Sequence, residues 1–428
     1  MQAKQTLLTQ ALKYENLSAS ALAKLTGLSQ PTVSRTLQKM PVRKLGAGRN
    51  TVFALLASET PIPLYQVSAN GRILPLAELY LQPEGRSLLI FPSGQYQTYE
   101  GLPFFIYDTL PTGFLGNIHL KSITPKDPQL THKSQDWSDT QILHYLTHYG
   151  HDLAGNLIFG TAMAEAAAQS SFASVQRSSY PELVNNLQHS PNPLGSSIAG
   201  EQPKFTVFNG HHHLIIKYSP PFSANNPVAV RHQDLLVCEH LALQTLNAHN
   251  IPATQSTLHQ DDRFYLELVR FDRIGQQGRK GIVSLKYLDA EFTGLNGDWI
   301  EIAKALHHQT LIDDHARFLT EVAYTFGKYI ANSDMHNGNF SFFLDEINLT
   351  QPTPIYDMLP MAYMPVQGEL RNPDFTPPRF INVSIQAQNL AKKMAIHFWQ
   401  QVEQSPLISP EMKNLLTQQA IRAKIQAF

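Results

Sequence analysis

The sequence predicts an α+β protein, with a small helical head closed by a β-hairpin wing and then a larger body in two lobes. Three observations predict it. Helical spacing gives way to two short strands within the first 58 residues. Charge is uneven, because residues 1–60 hold eight basic side chains (Lys4, Lys13, Lys24, Arg35, Lys39, Arg43, Lys44, Arg49) against two acidic ones (Glu15, Glu59). Eight minus two makes the head +6, and the formal net charge of −1 leaves −7 for the rest of the 428 residues. Such a head suits a polyanion. Third, the stretch from Ile330 to Phe343 sets a polar knot of Asn332, Asp334, His336, Asn337 and Asn339 between apolar flanks.

Composition is that of a globular chain, 43% hydrophobic and 16% charged, long enough for two or three domains. The single cysteine, Cys238, excludes an internal disulfide and points to a reducing compartment. No leader with a basic start and apolar core is visible, nor a run of about 18 apolar residues, so the expected location is the cytoplasm, with no membrane partner.

The first helix is expected over residues 4–14, with Leu7, Leu8, Ala11 and Leu12 on one face. Ser18 or Ser20 can cap a second helix, Ala21 to Thr26, and Gly27-Leu28-Ser29 turns the chain into a third, Gln30 to Met40. Pro31 suits its first turn, where a missing N–H is no loss. Val33, Leu37 and Met40 face inward, which leaves Gln30, Thr32, Ser34 and Arg35 outward, where a recognition helix reads bases. Val42–Leu45 and Thr51–Leu55, joined at Gly46–Asn50, form the wing, with Arg49 and Arg43 at phosphates. Residues 1–58 therefore read as a winged helix-turn-helix domain that binds double-stranded DNA. The same fold reused for protein contacts is the alternative.

Pro61-Ile62-Pro63 reads as a linker, followed by strands at Leu64–Val67, Arg72–Leu76 and Ser87–Phe91, the first two joined at Asn70-Gly71. From Gly195 to Gly200 small residues let backbone approach backbone; Lys204 then starts a strand and His213–Lys217 returns. A small-residue loop beside a hairpin whose second strand carries a lysine can cover and pin nucleotide phosphates. His211-His212-His213 invites a metal reading, but consecutive strand residues point to opposite faces. An apolar-faced helix at Asp234–Leu246, strands at Ile251–Leu258 and Phe264–Val269, and Arg270–Arg273 complete residues 62–270, the N-terminal subdomain and N-lobe. Residues 271–428 form a helical C-lobe, with helices at Ala316–Asn332 and Leu390–Glu403 and a hairpin of Phe340–Leu344 with Thr353–Ile355. After it comes a second acid, Asp357. In the knot, Asp334 can take a proton from a hydroxyl, while Asn339 and Asp357 hold Mg²⁺ against a nucleotide phosphate. Side chains that only cap their own backbone would use the same residue types.

Five motifs follow in order: Ser197-Ile-Ala-Gly-Glu-Gln-Pro-Lys204, Ile215-Ile-Lys217, Arg270-Phe-Asp-Arg273, Asn332-Ser-Asp-Met-His-Asn-Gly-Asn-Phe-Ser341 and Tyr356-Asp-Met-Leu-Pro360. Over residues 64–400 they resemble the HipA toxin kinases, bacterial serine/threonine kinases. The resemblance implies a two-lobed, divergent protein-kinase-like fold related to phosphatidylinositol kinases, here in a branch with a fused helix-turn-helix. It implies Asp334 as catalytic base, Asn339 and Asp357 as metal ligands, Lys217 on the nucleotide phosphates and His336 beside the catalytic loop and nucleotide. Ala199, Gly200, Glu201, Gln202 and Lys204 would cover the phosphates, Val269, Arg270 and Phe271 would hold adenine at the hinge, and Tyr356 would flank the nucleotide. Ser197 matches a serine that relatives autophosphorylate to switch themselves off, and a phosphate there adds about −1.5 to −2 charges beside those of ATP.

Three features depart from the family pattern. Glu201-Gln202-Pro203-Lys204 stands where many relatives have Ala-Gln-Glu-Lys. Gly338 stands where a basic residue is common. The acid that pairs with Lys217 is open between Glu239 and Asp234. The expected function is an ATP- and Mg²⁺-dependent protein kinase, a toxin that binds its own promoter and allows a homodimer on the DNA. Its substrate would be a protein, an aminoacyl-tRNA synthetase or another translation factor by resemblance. A weakly active, ATP-sensing repressor is the first alternative, and a Mg²⁺-dependent nuclease the second.

Overall fold

The computed structural model describes residues 2–188, 202–222, 226–418 and 421–427. The chain divides into two compact units, Met1–Ser68 with Arg72–Leu110 and Lys133–Ser170, and Ala69–Gly71 with Pro111–His132 and Ser171–Phe428. Helices mix with antiparallel sheets throughout, so the fold is α+β, as the sequence predicts.

In the first unit, α1 (Gln2–Leu12), α2 (Ala19–Thr26) and α3 (Gln30–Leu37) precede a hairpin of β1 (Val42–Leu45) and β2 (Val52–Leu55). The Ser18 hydroxyl accepts the Ala21 N–H and caps α2, while Gly27 ends it at φ +69°. Leu8, Leu12, Leu22, Val33, Leu37 and Leu55 form the buried core. The first helix is set earlier than expected, and Leu7, 42% exposed, lies off its buried face. The third helix ends at Leu37; Met40 still packs on the core from the turn that follows.

The same unit holds a sheet of β3 (Ile62–Val67), β4 (Ile73–Leu81), β5 (Arg86–Ile90), β6 (Tyr96–Glu100) and β7 (Leu157–Phe159), ordered β6-β5-β4-β3-β7. The linker expected at Pro61–Pro63 is instead the start of β3. Ile62 pairs with Leu79 and Pro63 with Glu78, and the Pro63 carbonyl accepts the Gly160 N–H. A proline near the first residue of a strand gives up one donor but keeps its acceptor. Leu45, Ala54 and Leu56 from the wing share a buried cluster with Tyr80 and Leu88 of this sheet. Gln82 Nε2 donates to the Leu55 carbonyl and to Asn16. The wing is thus built onto the middle sheet. After α4 (Gly113–Ile123), which belongs to the second unit, α5 (Asp139–Tyr149) and α6 (Thr161–Gln169) complete the first.

The second unit continues with α7 (Tyr180–Gln188), β8 (Lys204–Phe208), β9 (His213–Tyr218), α8 (Pro227–Ala248), β10 (Ser256–Gln260) and β11 (Phe264–Val269), the strands ordered β10-β11-β9-β8. Asn226 caps α8 through Val228 and Ala229, with Pro227 in its first turn. The strand expected at Ile251–Leu258 is displaced to β10, because Ala253 makes a parallel bridge to Ile355 instead. A short ladder of β12 (Arg273–Ile274) and β13 (Gly278–Arg279) leads to β14 (Gly281–Ser284), α9 (Leu285–Leu288), α10 (Trp299–His308) and α11 (Asp314–Tyr329). A hairpin of β15 (Ser341–Asp345) and β16 (Asn348–Pro352) extends β14, so its second strand lies before the expected Thr353–Ile355. Helices α12 (Ile385–Gln404), α13 (Pro410–Gln418) and α14 (Ile421–Ala427) close the chain. Apolar faces of α11 (Leu319, Val322, Phe326) and α12 (Ala391, Met394, Phe398) are buried, and Trp399 donates from Nε1 to the Tyr329 carbonyl. Among the described residues no helix is long and apolar enough to cross a membrane.

Candidate functional site

The hairpin of β8 and β9 makes Lys204 and Lys217 direct cross-strand partners. Like charges placed so repel unless anions offset them. Two acids do. Lys217 Nζ lies 2.6 Å from Glu239 Oε1 on α8 and also contacts Asp357 Oδ1. Lys217 and Glu239 are both buried. Burial opposes the lysine's charge, but Asp357 and Glu239 together carry its pKa above the ordinary lysine value. Burial dominates at Glu239 and raises its pKa, with Lys217 opposing. Burial also acts to raise Asp357, yet Lys217 and Lys204, helped by His336, hold it down to about 2. Asp357 is therefore a carboxylate at neutral pH, and its side chain keeps 35% exposure.

The partner of Lys217 that the sequence left open is Glu239. Asp234, the other candidate, accepts from the Ser409 N–H at 2.7 Å and from its hydroxyl at 2.6 Å, which fastens the start of α13 to α8. The signal for Glu239 was an acid inside an apolar helical run, a position that demands a buried cation.

Helix α11 delivers the polar knot. Its last turn is closed by Ala331, left-handed at φ +61°, and the Asn332 N–H returns to the Gly327 carbonyl. A Cβ on Gly327 would stand 2.2 Å from Met335 Sδ, so a larger residue would push the Met335 side chain off the helix surface it packs on. Asn332 accepts the Asp334 N–H at 3.0 Å through Oδ1, and its Nδ2 reaches the Asp357 carbonyl at 3.4 Å. Asn339 Nδ2 donates to the Asp334 carbonyl at 2.9 Å, which turns its amide oxygen the other way. Trp299 Nε1 donates to the His336 carbonyl at 3.1 Å and Asn337 Nδ2 to the Gly297 carbonyl at 3.1 Å. Tyr356 OH donates to the Gly338 carbonyl at 2.9 Å and lies 2.8 Å from Ser341 Oγ. The two acid-bearing segments are thus stitched together. Part of the knot caps backbone, as its composition allows, while the Asp334 carboxylate stays exposed. Asp357 itself sits at φ +50°, a conformation costing about 1–3 kcal/mol and typical of functional sites.

Of the hinge trio, Val269 and Arg270 use their N–H groups on Gln255 and His213, and the Arg270 guanidinium grips Asp272 at 2.8 and 3.0 Å. The ring of Phe271 packs 5.5 Å from that of Tyr356 and 6.1 Å from that of Phe343. Gln202 and Lys204 are half-buried at the start of β8. Ser197, Ala199, Gly200 and Glu201 lie outside the described residues. The amide oxygen of Asn339 and the carboxylate of Asp357 are hard oxygens, the donor type that could hold Mg²⁺. Among the described residues no cluster of three or more His, Cys, Asp or Glu gathers into a metal site.

On the head, Gln30, Ser34 and Arg35 are exposed along α3, and Thr32, half-buried, shares a hydrogen bond with Ser29. Arg49 is exposed at the wing tip. Arg43 is exposed as well, on the first strand of the wing. It lies 5.5 Å over the Tyr80 ring and 3.8 Å from Glu78, because strand alternation turns it toward the middle sheet while its neighbour Lys44 takes the other face.

Two family models match the chain, the YjjJ-like toxin, middle domain, over residues 58–168 and the HipA-like C-terminal domain over residues 196–426. A curated relative, Toxin YjjJ of Escherichia coli (strain K12), is 33% identical over 424 residues, which covers 95% of each protein. Among solved structures, a chain of the Shewanella oneidensis MR-1 complex of HipA, HipB and operator DNA covers 86% of this chain and 97% of its own, with TM-score 0.48 and 13% identity. The Helicobacter pylori proinflammatory kinase CtkA covers 56% of this chain and 91% of its own, with TM-score 0.36 and 14% identity.

Proposed function

Because this chain belongs to the YjjJ-like toxin family and carries a HipA-like C-terminal domain, we propose that it is an ATP-dependent serine/threonine protein kinase that binds DNA through its own head. The observation that carries this reading is the quartet of Lys204, Lys217, Glu239 and Asp357, with Asn332 joining the Asp357 backbone to that of the exposed Asp334. Glu239 keeps Lys217 charged and aimed. Lys204 and Lys217 then offset the phosphates of ATP. Asp334 accepts the proton of the attacking hydroxyl. Asn339 and Asp357 would hold Mg²⁺, which when bound offsets charge on the transferring phosphoryl group. The Phe271 and Tyr356 rings offer an apolar wall to the base. A nuclease would leave the lysine pair and its acids without a task.

The acceptor is a protein hydroxyl, with an aminoacyl-tRNA synthetase or another translation factor as the class to test, and Ser197 as the internal acceptor whose phosphate shuts the site. The exposed α3 residues and Arg49 would engage promoter DNA, as a monomer or a homodimer. Incubation with γ-labelled ATP and Mg²⁺, followed by site mapping, tests the kinase. Label on Ser197 that is absent from Asp334→Ala supports it, whereas tight ATP binding without any transfer sinks it in favour of an ATP-sensing repressor. Phosphoproteomics after induction, against Asp334→Ala, would name the substrate. Equal affinity for upstream and random duplex at every salt concentration would remove the promoter role.

A further inference from the structure

His336 opens the short turn Asn337–Asn339 and caps it, its Nδ1 accepting the Gly338 N–H at 3.1 Å. Gly338 is not required by the backbone, since its φ lies outside the left-handed region. Space above it is tight. A Cβ built there would stand 3.0 Å from both Cε1 and Nδ1 of His336, tighter than ordinary contact. A side chain at 338 would thus press on the imidazole and shift it by a few tenths of an ångström. Its backbone is held independently, because the His336 carbonyl accepts from the buried Trp299 indole at 3.1 Å and from the Asn339 N–H at 2.9 Å. The turn so fixed carries the Asn339 amide, and its Gly338 carbonyl receives the hydroxyl of Tyr356, the residue before Asp357.

We propose that His336 and Gly338 are a matched pair, in which the imidazole seated over the glycine is a positioning residue that aims the Asn339 oxygen at the site shared with Asp357. An accepting Nδ1 leaves the proton of the neutral ring on Nε2, so the cap also fixes the tautomer. Asparagine places an oxygen close to where Nδ1 stands, whereas glutamine and alanine do not. The pair acts as a support behind a metal ligand, and loss of such a support weakens metal affinity by about 10- to 100-fold. This inference rests on the kinase reading for the identity of the site, but its geometry can be tested without it.

The tests use the full chain. In ¹⁵N imidazole spectra of wild-type protein, above the usual histidine range, His336 should show the Nε2–H tautomer; an Nδ1–H tautomer overturns the pairing. Mn²⁺ affinity in the presence of a non-hydrolysable ATP analogue, read by electron paramagnetic resonance, should fall about tenfold or more in His336→Ala and His336→Gln. His336→Asn should retain it, and Gly338→Ala should lower it in wild type but add nothing in His336→Ala. If His336→Asn is as weak as His336→Ala, or if the two effects simply add, the proposal fails. No Mn²⁺–nucleotide binding by wild type would instead sink the kinase reading, and the tautomer would then decide by itself whether the pair exists.

Discussion

Asp357 stands where the fields of Lys217, Lys204 and His336 converge, and its folded pKa of about 2 lies below the unfolded value of about 3.9. The depressed carboxylate contributes stability that is present above the unfolded value and lost as pH falls through the folded one. Urea unfolding of wild type and Asp357→Asn across a pH series should therefore show a gap that is widest above about pH 5 and closes by about pH 2. A gap independent of pH would mean the ion pair is not what stabilises. Asp334 behaves differently. Its carboxylate is exposed, so Asp334→Ala should change stability by less than about 0.5 kcal/mol while lowering phosphoryl transfer by about 10²–10⁴-fold. Parallel measurement of melting and labelled transfer separates the two effects, and a large loss of stability would reassign Asp334 to structure.

Among the elements, α11 is the rail that carries the knot, and its register depends on one buried acid. Glu321 accepts from Arg317 Nη1 at 2.6 Å and from the Ser384 N–H and hydroxyl at 3.1 and 2.7 Å, while Ser384 caps α12. Glu321→Ala strips charged hydrogen bonds from this joint and should cost about 1.5–3 kcal/mol in denaturant melts. Nucleotide affinity, measured by calorimetry, should move little, because Glu321 touches no residue of the quartet. A selective loss of binding would show that the α11–α12 joint tunes the site. Helix ends and strand lengths were the elements least readable from sequence. Ser18 and Pro31 mark the starts of α2 and α3 in the chain itself, but β10 was shifted by a partner far along it, Ile355, which pairs with Ala253.

Across the whole molecule, the fusion of head to middle sheet has consequences for stability and for the proposed DNA role. Leu45, Ala54 and Leu56 of the wing share their core with Tyr80 and Leu88, so Leu88→Ala should weaken the head as well as the sheet, by about 2–5 kcal/mol. Hydrogen exchange of α3 amides is the check, and unchanged protection would mean that the head folds by itself. For DNA, Arg49→Ala should weaken binding about equally for all sequences and lower the salt slope by about one, whereas Arg35→Ala should relax preference by about 1–3 kcal/mol at one base position. Binding titrations at several salt concentrations distinguish these, and a sequence-dependent loss at Arg49 would contradict its placement on phosphate.

By itself, the sequence determined what local chemistry and periodicity can encode. The helical head with its wing, the α+β class and the strand Phe264–Val269 follow from spacing, caps and turn residues that act within a few positions. The grouping of Lys204 and Lys217 on a hairpin was within reach for the same reason. Tertiary structure alone decided what depends on distant partners. It chose Glu239 over Asp234, drew Arg43 to Glu78, made a strand of the apparent linker at Pro63, and set His336 against Gly338. Burial and cross-chain contact set those outcomes, and neither is a property of the residues in line.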